Sequence, residues 1–538
     1  MSLPTPRDFG LPDRFANWWG HQEEAFERAI TSDKRVVALG APTGFGKSPV
    51  GETVSMFWGA RVVYLVMDRA LQTQVTDPLR GFTHRFDVRG KQNYDCRVLL
   101  DAGVDQDNGG AKCDKAEGLC ETCQFKDRGC HYYDAVTAAI KHDYPLTNYS
   151  MWFAMARYKE GLGKFAGLVC DEAHQIPQAL CSALRIELGQ RTVEQFTRRP
   201  LPGMQSLDLW REWAKQHVHV LGPRLDSMQQ AARGQGKQSW ELKELKGLVG
   251  ALEDLARASG DWVEDRSAWV AKERVGFEPL SPAPYAERLL FQGIKHILLM
   301  SATLRPKHLE LLGLDMADVE FAEFPSSFPV ARRPVVHVKT VQHKATMTSE
   351  AKVEAVRRVD QIIAGRLDRK WLIDTVSFDR SAFIREHSQY SYYMIANTPG
   401  RDGLSAADAM ERFKLASPPK GLIGPSFRTG YDLPGQLCEF AILFKVPFMD
   451  GRNPLTAARR AADPLWEKLA VMVEIVQFFG RGMRSARDQC EGLIVDDMFA
   501  WLFRDCVQLG FVPQWFIPAV RLNQAIPRPL AKLGGGQT

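Results

Sequence analysis

The sequence contains no apolar stretch that is long enough to cross a bilayer. Apolar runs such as Ile297 to Met300 and Phe440 to Phe444 have the length of buried strands. The first residues lack a basic region followed by an apolar one, so we expect no secretory signal, no membrane partner and a cytoplasmic location. Neither sign of charge is in large excess, because the chain has 69 Lys and Arg residues and 64 Asp and Glu residues. The net charge of +5 permits nucleic acid as a partner but does not require it.

Internal repeats of about 20 to 50 residues and long low-complexity tracts are also absent. The 538 residues are 45% hydrophobic and 25% charged, which is ordinary for a globular protein and argues against disordered or collagenous classes. This length leaves room for about two to four domains with a large core.

Short runs rich in Val, Ile and Leu alternate with helical stretches at both ends of the sequence. Such runs are typical of parallel strands that are covered on both faces, so the pattern predicts an α/β fold with two parallel-sheet domains. The predicted strands are Arg35 to Gly40, Arg61 to Met67, Phe165 to Cys170, Lys295 to Met300, Lys370 to Phe378, Tyr392 to Ala396, Lys420 to Phe427, Phe440 to Val446 and Gly492 to Asp496.

Two stretches interrupt this alternation and predict inserts in the first domain. One is rich in cysteine, and the other carries leucines at three- and four-residue steps from Leu242 to Leu255, which indicates an amphipathic helix. We therefore expect a first domain in three parts (1–89, 145–176 and 286–305), a cysteine-rich insert (90–144), a helical insert (177–285) and a second domain (306–538).

The segment RVVALGAPTGFGKS, residues 35 to 48, has the pattern of a phosphate-binding loop between a strand and a helix. Glycines let the backbone N–H groups surround phosphate oxygens, Lys47 supplies a charge, and the Ser48 hydroxyl can hold Mg²⁺. The residues predicted to bind ATP here are Ala41, Pro42, Thr43, Gly44, Phe45, Gly46, Lys47 and Ser48.

A second pattern, LVCDEAH, places two acids at the end of an apolar strand. We expect Asp171 to reach Mg²⁺ and Glu172 to orient or deprotonate the attacking water. The segment MSATL, residues 300 to 304, follows another strand, and its hydroxyl groups can relay hydrogen bonds between the acidic pair and a second surface.

In the segment QFFGRGMRSARD, Gln477, Arg481 and Arg484 recur at four- and three-residue steps and would share one helix face. Arginines that point across an interdomain cleft can stabilise charge on the transferred γ-phosphate. The alternative interpretation is a solvated basic helix.

The order and spacing of these patterns resemble the XPD/DinG-like iron–sulfur DNA helicases of superfamily 2, including short phage-type members. The resemblance extends over nearly the whole chain, and it implies two RecA-like domains with an iron–sulfur insert and a helical, arch-like insert. WGHQ before the first strand resembles the family's adenine-reading segment, and SFRTGYDLPG, residues 426 to 435, resembles its motif V. It implies ATP contacts through Gln22 and Asp432, and movement on DNA from 5′ to 3′. The family often has Arg at the position of Trp19 and Glu at the position of Thr429.

Five of the ten cysteines lie between Cys96 and Cys130. Four thiolates would hold a [4Fe–4S] cluster, as the resemblance implies. The set Cys96, Cys120, Cys123 and Cys130 is the one we predict, with Cys113 as a spare that could displace Cys120. A structural Zn²⁺ is the main alternative and disulfides are a further one.

The expected partner is single-stranded and forked DNA, bound by a monomer whose two domains grip the strand in turn as ATP draws them together and hydrolysis releases them. An ATP-gated DNA-binding module without processive unwinding and an RNA helicase remain alternatives. The residues predicted to contact DNA are Arg69, Tyr94, Thr147, Asn148 and Thr429.

Overall fold

The computed structural model describes the chain except residues 1–2, 60, 78–83, 102, 104–111, 114–122, 158–160, 204–205, 236–239, 267–272, 345, 399, 401–402, 429–432, 434, 484, 486 and 533–538. Within the described residues, no helix combines the length and the apolar character that a membrane span requires.

The strands of the described chain, numbered in chain order, form two parallel sheets and one small antiparallel sheet. They are β1 Val36–Gly40, β2 Val62–Val66, β3 Phe86–Asp87, β4 Pro145–Asn148, β5 Gly167–Cys170, β6 Ile186–Gly189, β7 Trp262–Asp265, β8 Arg274–Pro279, β9 His296–Ser301, β10 Val319–Glu323, β11 Val335–Val338, β12 Lys370–Asp374, β13 Met394–Ala396, β14 Lys420–Ile423, β15 Phe440–Leu443, β16 Glu491–Ile494 and β17 Val520–Gln524.

The α-helices are numbered in the same way. They are α1 Gln22–Thr31, α2 Lys47–Trp58, α3 Arg69–Thr76, α4 Arg97–Asp101, α5 His131–Lys141, α6 Tyr149–Arg157, α7 Ile176–Leu184, α8 Gln190–Thr197, α9 Leu207–Gln235, α10 Trp240–Arg257, α11 Ala283–Ala286, α12 Pro306–Leu311, α13 Ser349–Ala364, α14 Phe378–His387, α15 Ala406–Leu415, α16 Pro454–Ala462, α17 Trp466–Phe479 and α18 Met498–Gln508.

The first lobe is built on a seven-stranded parallel sheet with the order β10-β1-β9-β5-β2-β4-β3. Strand β1, the second from one edge of this sheet, has every residue buried and lies between β9 and β10, with Val36 opposite Ile297 and Val319. The strands that precede the phosphate-binding loop, the acidic pair and the MSATL segment are therefore the neighbours β1, β5 and β9. Their carboxyl ends meet at one edge of the sheet, which is where parallel sheets bind ligands.

The second lobe contains the other seven-stranded parallel sheet, with the order β13-β14-β12-β15-β16-β11-β17. The predicted α/β class with two parallel sheets is thus confirmed. Several predicted strands end earlier than expected, because Phe378 begins a helix and the chain from Pro425 to Phe427 forms a 3₁₀ turn.

The insert at 177–285 is not purely helical, which corrects the description of this segment as a helical insert. Its leucine-rich helix is α10, whose leucines from Leu242 to Leu255 are buried as predicted. However, β6, β8 and β7 form a three-stranded antiparallel sheet beside the helices. These strands have four to six residues each and lie far apart in sequence, so no single stretch signals the sheet.

A buried ion pair joins this insert to the second lobe. Arg459 on α16 donates to Glu278 at the end of β8 over 2.7 Å, and both side chains are buried. Arg459 also donates to Gln178, while Arg185 approaches the other oxygen of Glu278 at 3.4 Å. Removing one partner of a buried ion pair by substitution leaves an uncompensated charge, so each residue of this contact depends on the other.

We expect Arg459→Ala to destabilise the protein by about 3 kcal/mol, at the low end for a broken buried pair because Arg185 still faces Glu278. Urea unfolding followed by tryptophan fluorescence measures this loss. The exposed Arg412 on α15 gives a matched control, since Arg412→Ala should leave the midpoint unchanged. Equal midpoints for both variants would show that the ion pair does not stabilise the contact.

Candidate functional site

The predicted phosphate-binding loop connects β1 to α2, as the sequence pattern requires. Gly44 and Gly46 both have φ 79°, a left-handed conformation that favours glycine. The N–H of Ala41 donates to the carbonyl of Ser301 over 3.0 Å, which ties the start of the loop to β9. Lys47 is the first residue of α2, so the loop leads directly into a helix N-terminus that attracts anions.

Two other residues pack closely against the loop. A β-carbon on Gly44 would lie 2.0 Å from the ring of Phe328, and one on Gly46 would lie 2.2 Å from the Gln22 amide nitrogen. The backbone conformation favours glycine at both positions, and a larger residue would also have to displace the Phe328 ring or the Gln22 amide. Phe328 belongs to the segment that connects β10, in the first sheet, to β11, in the second sheet. None of the sequence motifs includes this segment.

Gln22, the predicted adenine reader, binds the loop itself. Its amide nitrogen donates to the carbonyls of Phe45 at 3.0 Å and Gly46 at 3.2 Å, and its amide oxygen accepts the N–H of Trp19 at 3.0 Å. These bonds fix the side chain beside the loop. Its contact with a base stays a prediction.

The acidic pair lies at the end of β5, opposite the loop. Asp171 is buried, and its backbone carbonyl accepts the Tyr149 hydroxyl at 2.7 Å. Glu172 has φ 49°, and its backbone N–H donates to the Asp171 carboxylate at 2.9 Å. Lys47 Nζ lies 4.0 Å from Glu172 Oε1, so the lysine of the loop and the acid form a long ion pair.

The two carboxylates have different electrostatic environments. Burial and the neighbouring charge of Glu172 raise the pKa of Asp171 to about 6. Burial also acts to raise the pKa of Glu172, but Lys47 and hydrogen bonds from His174 and Ser301 outweigh it and lower this pKa to about 2. Glu172 therefore carries a charge throughout the neutral pH range and can accept hydrogen bonds that orient a water molecule.

A chain of hydrogen bonds runs from Glu172 to the second lobe. Ser301 Oγ donates to Glu172 Oε2 at 3.2 Å and lies 2.7 Å from His174 Nδ1. Gln477 Nε2 on α17 lies 2.8 Å from His174 Nε2. With the Gln477 amide nitrogen as the donor, Nε2 of His174 accepts and Nδ1 carries the hydrogen that faces Ser301. Every donor in the chain thus points toward Glu172.

This chain is the relay that the hydroxyl group of the MSATL segment was predicted to form, with Ser301 as the hydroxyl involved. The participation of His174 was not predicted, although the residue stands in the LVCDEAH pattern. The sequence could not locate its second partner, Gln477, because the two residues are 303 positions apart.

The predicted arginine Arg481 lies where the two lobes meet. It follows Gly480, at which a β-carbon would be 3.2 Å from the Thr43 hydroxyl of the phosphate-binding loop. Arg481 Nε donates to the carbonyl of Arg428, and burial lowers the pKa of Arg481 to about 10, against the opposing effects of Cys438 and Asp374. Arg484 lies outside the described residues, as do Asp432 and Thr429.

Arg428 of the second lobe, which was not among the residues predicted from the sequence, forms ion pairs near Arg481. It is paired with Asp374 at the end of β12 and donates to Glu474 on α17 at 2.6 Å. Burial acts to lower the pKa of Arg428, but the hydrogen bonds and charges of Asp374 and Glu474 raise it overall. Arg428 therefore stays charged and links the end of β12 to α17.

In the first lobe, the described residues that were predicted to contact DNA lie near the strands β2, β3 and β4, but they differ in exposure. Arg69 is exposed at the start of α3 and donates to Asn93 at 2.8 Å, while Asn148 donates to Gln72 at 2.8 Å. Thr147 is fully buried and donates to the carbonyl of Val88, so it offers no surface to a strand in this structure. Tyr94 is partly buried, and its hydroxyl accepts the N–H of Arg89.

The described cysteines of the predicted metal site, Cys96, Cys113, Cys123 and Cys130, do not form a group that could hold a metal ion. Cys96 and Cys113 are buried near a short antiparallel bridge between Asp95 and Lys112, while Cys123 and Cys130 are partly buried. Cys120 lies outside the described residues. Across the part of the chain that the structure describes, no three His, Cys, Asp or Glu side chains lie close enough to hold a metal ion. The described cysteines thus do not form a metal site in this arrangement.

Comparison with known proteins identifies the fold. Residues 380–504 match the family model of the helicase C-terminal domain. No curated protein matches the chain. Among solved structures, an XPD helicase is similar, with 16% identity, a TM-score of 0.61 and coverage of 93% of this chain and 98% of that one. An apo XPD structure matches with 16% identity, a TM-score of 0.56 and coverage of 90% and 98%. Xpd4 from S. tokodaii matches with 14% identity, a TM-score of 0.54 and coverage of 94% and 100%.

The two parallel sheets therefore have the fold of the solved XPD helicases, and residues 380–504 of the second lobe match the helicase C-terminal domain.

Proposed function

We propose that the chain is an ATP-dependent DNA helicase or translocase of superfamily 2, in the XPD/DinG-like group, that unwinds duplex DNA by moving on one strand from 5′ to 3′. The observation that carries this proposal is the hydrogen-bond chain from Glu172 through Ser301 and His174 to Gln477. This chain connects Glu172, which would orient the attacking water, to Gln477 on the second lobe, which would move relative to the first lobe. The direction of movement and the preference for DNA follow from the resemblance.

Nucleotide binding begins at the loop between β1 and α2. Lys47, which lies 4.0 Å from Glu172, would move its charge onto the β- and γ-phosphates when ATP is present. Ser48 and Asp171 would hold Mg²⁺, which supplies charge neutralisation at the phosphates. The hydrogen bonds from Ser301 and His174 keep Glu172 ionised and oriented, so that it can position the attacking water.

The second lobe completes the site with Gln477 and Arg481, and with Arg484 on the same segment. An arginine across the cleft stabilises the charge that develops on the γ-phosphate, which contributes about 10³- to 10⁵-fold in rate in related phosphoryl transfers. The lobes are bound together when both contact the γ-phosphate, and hydrolysis removes that connection. Alternating affinity of the two lobes for a strand converts this cycle into movement.

A strand-displacement assay on forked DNA with a 5′ tail tests the proposal. The wild-type protein should release the displaced strand when ATP is present, whereas Lys47→Ala should lose both hydrolysis and displacement because the phosphates lose their lysine. Circular dichroism should show the variant to be folded, and the exposed Lys352→Ala serves as the matched control.

The other outcomes separate the alternative functions. ATP turnover without displacement would favour an ATP-gated clamp, and stronger stimulation of hydrolysis by single-stranded RNA than by DNA would favour an RNA helicase. Full hydrolysis by Lys47→Ala would contradict the assignment of the phosphate-binding loop.

We also propose that the cysteine-rich segment binds a [4Fe–4S] cluster, which the resemblance supports, while the described cysteines alone do not assemble a site. Anaerobically purified protein should contain iron and acid-labile sulfide and absorb near about 400 nm. Cys96→Ser should lower the iron content, whereas Cys506→Ser, which changes a buried thiol in the second lobe, should not. Zinc without iron would identify the structural metal as Zn²⁺ instead.

A further inference from the structure

The ring of Phe328 packs against the phosphate-binding loop at Gly44. A β-carbon on Gly44 would lie 2.0 Å from Cζ and 2.5 Å from Cε2 of this ring, so the tip of the ring contacts the α-carbon of the glycine. Gly44 has φ 79°, and a glycine that is not restrained can adopt many other backbone conformations. The ring therefore restrains the loop at a residue whose backbone would otherwise be free to move.

Phe328 is itself part of the core of the second lobe. Its side chain is only 4% exposed, and it belongs to the buried apolar cluster that includes Phe479 on α17 and Trp515 before β17. The phosphate-binding loop belongs to the first lobe, because it connects β1 to α2. One ring thus reaches from the core of the second lobe to the loop of the first.

Arg333 fixes the segment that carries Phe328. Its Nε donates to the carbonyl of Phe328 at 3.1 Å, and its Nη1 donates to the carbonyl of Trp515 at 3.0 Å. The guanidinium also lies 5.3 Å from the centre of the Trp515 ring, within the range of a cation–π contact. Arg333 is buried, and a buried charge is costly without hydrogen bonds, so the arginine and the two carbonyls hold one another in place.

Trp515 connects the same group of residues to a second motif of the first lobe. Its indole Nε1 donates to the carbonyl of Ala302, in the MSATL segment, at 3.2 Å. Ala302 directly follows Ser301, whose N-terminal strand β9 also accepts the N–H of Ala41 at the start of the phosphate-binding loop. The position of the Phe328 ring relative to the loop is therefore fixed through a second, independent contact.

A small, mostly apolar cavity lies beside the ring. Residues of both lobes line it, among them Thr43 of the loop, Phe328, Arg333, Phe479 and Trp515. In a close-packed interior, a side chain can shift only into such a space. The ring can therefore adjust when the loop takes up phosphates, and it need not block their entry.

We propose that Phe328 is a positioning residue for nucleotide binding, whose ring holds the phosphate-binding loop in place from the core of the second lobe. The inference rests on the proposed function and deepens it, because Phe328 is not among the residues predicted to bind ATP. A loop that is already held in shape loses less conformational entropy when it binds phosphates, so the ring increases the affinity for the nucleotide. The ring acts on the loop and not on Glu172, so the chemical step should not depend on it.

Phe328→Leu tests this role, because leucine still fills the core but is too short to reach Gly44. The KM for ATP in DNA-stimulated hydrolysis and the Kd of ADP should each rise about tenfold, the order expected when one residue must be ordered on binding. The kcat should not change, since ground-state binding alone is weakened. Phe328→Met has a longer side chain that reaches the loop, and it should restore most of the affinity.

A second variant keeps the whole ring in the core. Phe328→Tyr adds an oxygen to Cζ, the ring atom nearest to Gly44, so it should displace the loop and also raise the Kd of ADP. Phe413→Leu is the matched control, because it makes the same change in the same core, on α15, and should leave KM and Kd unaltered. Thermal unfolding identifies the variants that are folded.

The contrary outcomes are distinct. An unchanged Kd in either folded variant, Phe328→Leu or Phe328→Tyr, would overturn the role of the ring. Tighter binding of ADP by Phe328→Leu would overturn it too, because it would show that the ring blocks the loop, and so would a lower kcat at an unchanged KM. Wild-type protein that binds ADP but displaces no strand would contradict the helicase function alone. Wild-type protein that does not bind ADP would overturn both.

Discussion

The hydrogen bond between His174 and Gln477 is the contact on which the proposed mechanism depends. It joins the lobe that carries the acidic pair to the lobe that carries Arg481, and it is the last link in a chain of donors that ends on Glu172. Since each donor points toward the carboxylate, the chain lowers the pKa of Glu172 and fixes its orientation. A shift of α17 away from the first lobe would break the hydrogen bond between Gln477 and His174. The pKa and the orientation of Glu172 can therefore respond to the relative position of the lobes.

A second contact between the lobes has a different character. Arg459 and Glu278 form a buried ion pair, and separating them would leave a charge without a partner. The His174–Gln477 contact is a single hydrogen bond in a partly buried position.

The sequence predicted those parts of the site that depend on short, continuous patterns. The loop from Ala41 to Ser48, the acidic pair and the MSATL segment each follow a strand directly, and a strand with buried residues on both faces is visible in a single sequence. Because β1, β5 and β9 are adjacent, the three patterns meet at one edge.

Other features depend on residues that are distant in sequence and could not be predicted. Phe328 packs on Gly44, and Gln22 donates to the loop carbonyls, but neither position has a local pattern that indicates a partner. The antiparallel sheet of β6, β7 and β8 was missed for the same reason, since its strands are separated by helices. The two-residue strand β3 is too short to have a periodicity at all.

A double-mutant cycle on His174 and Gln477 tests the central claim most directly. The kcat of DNA-stimulated ATP hydrolysis is measured for His174→Ala, Gln477→Ala and the double variant. If the two residues act through one hydrogen-bond chain, the double variant should be no slower than the slower single variant. Rate losses that multiply would show that the residues act independently and would contradict a relay between the lobes.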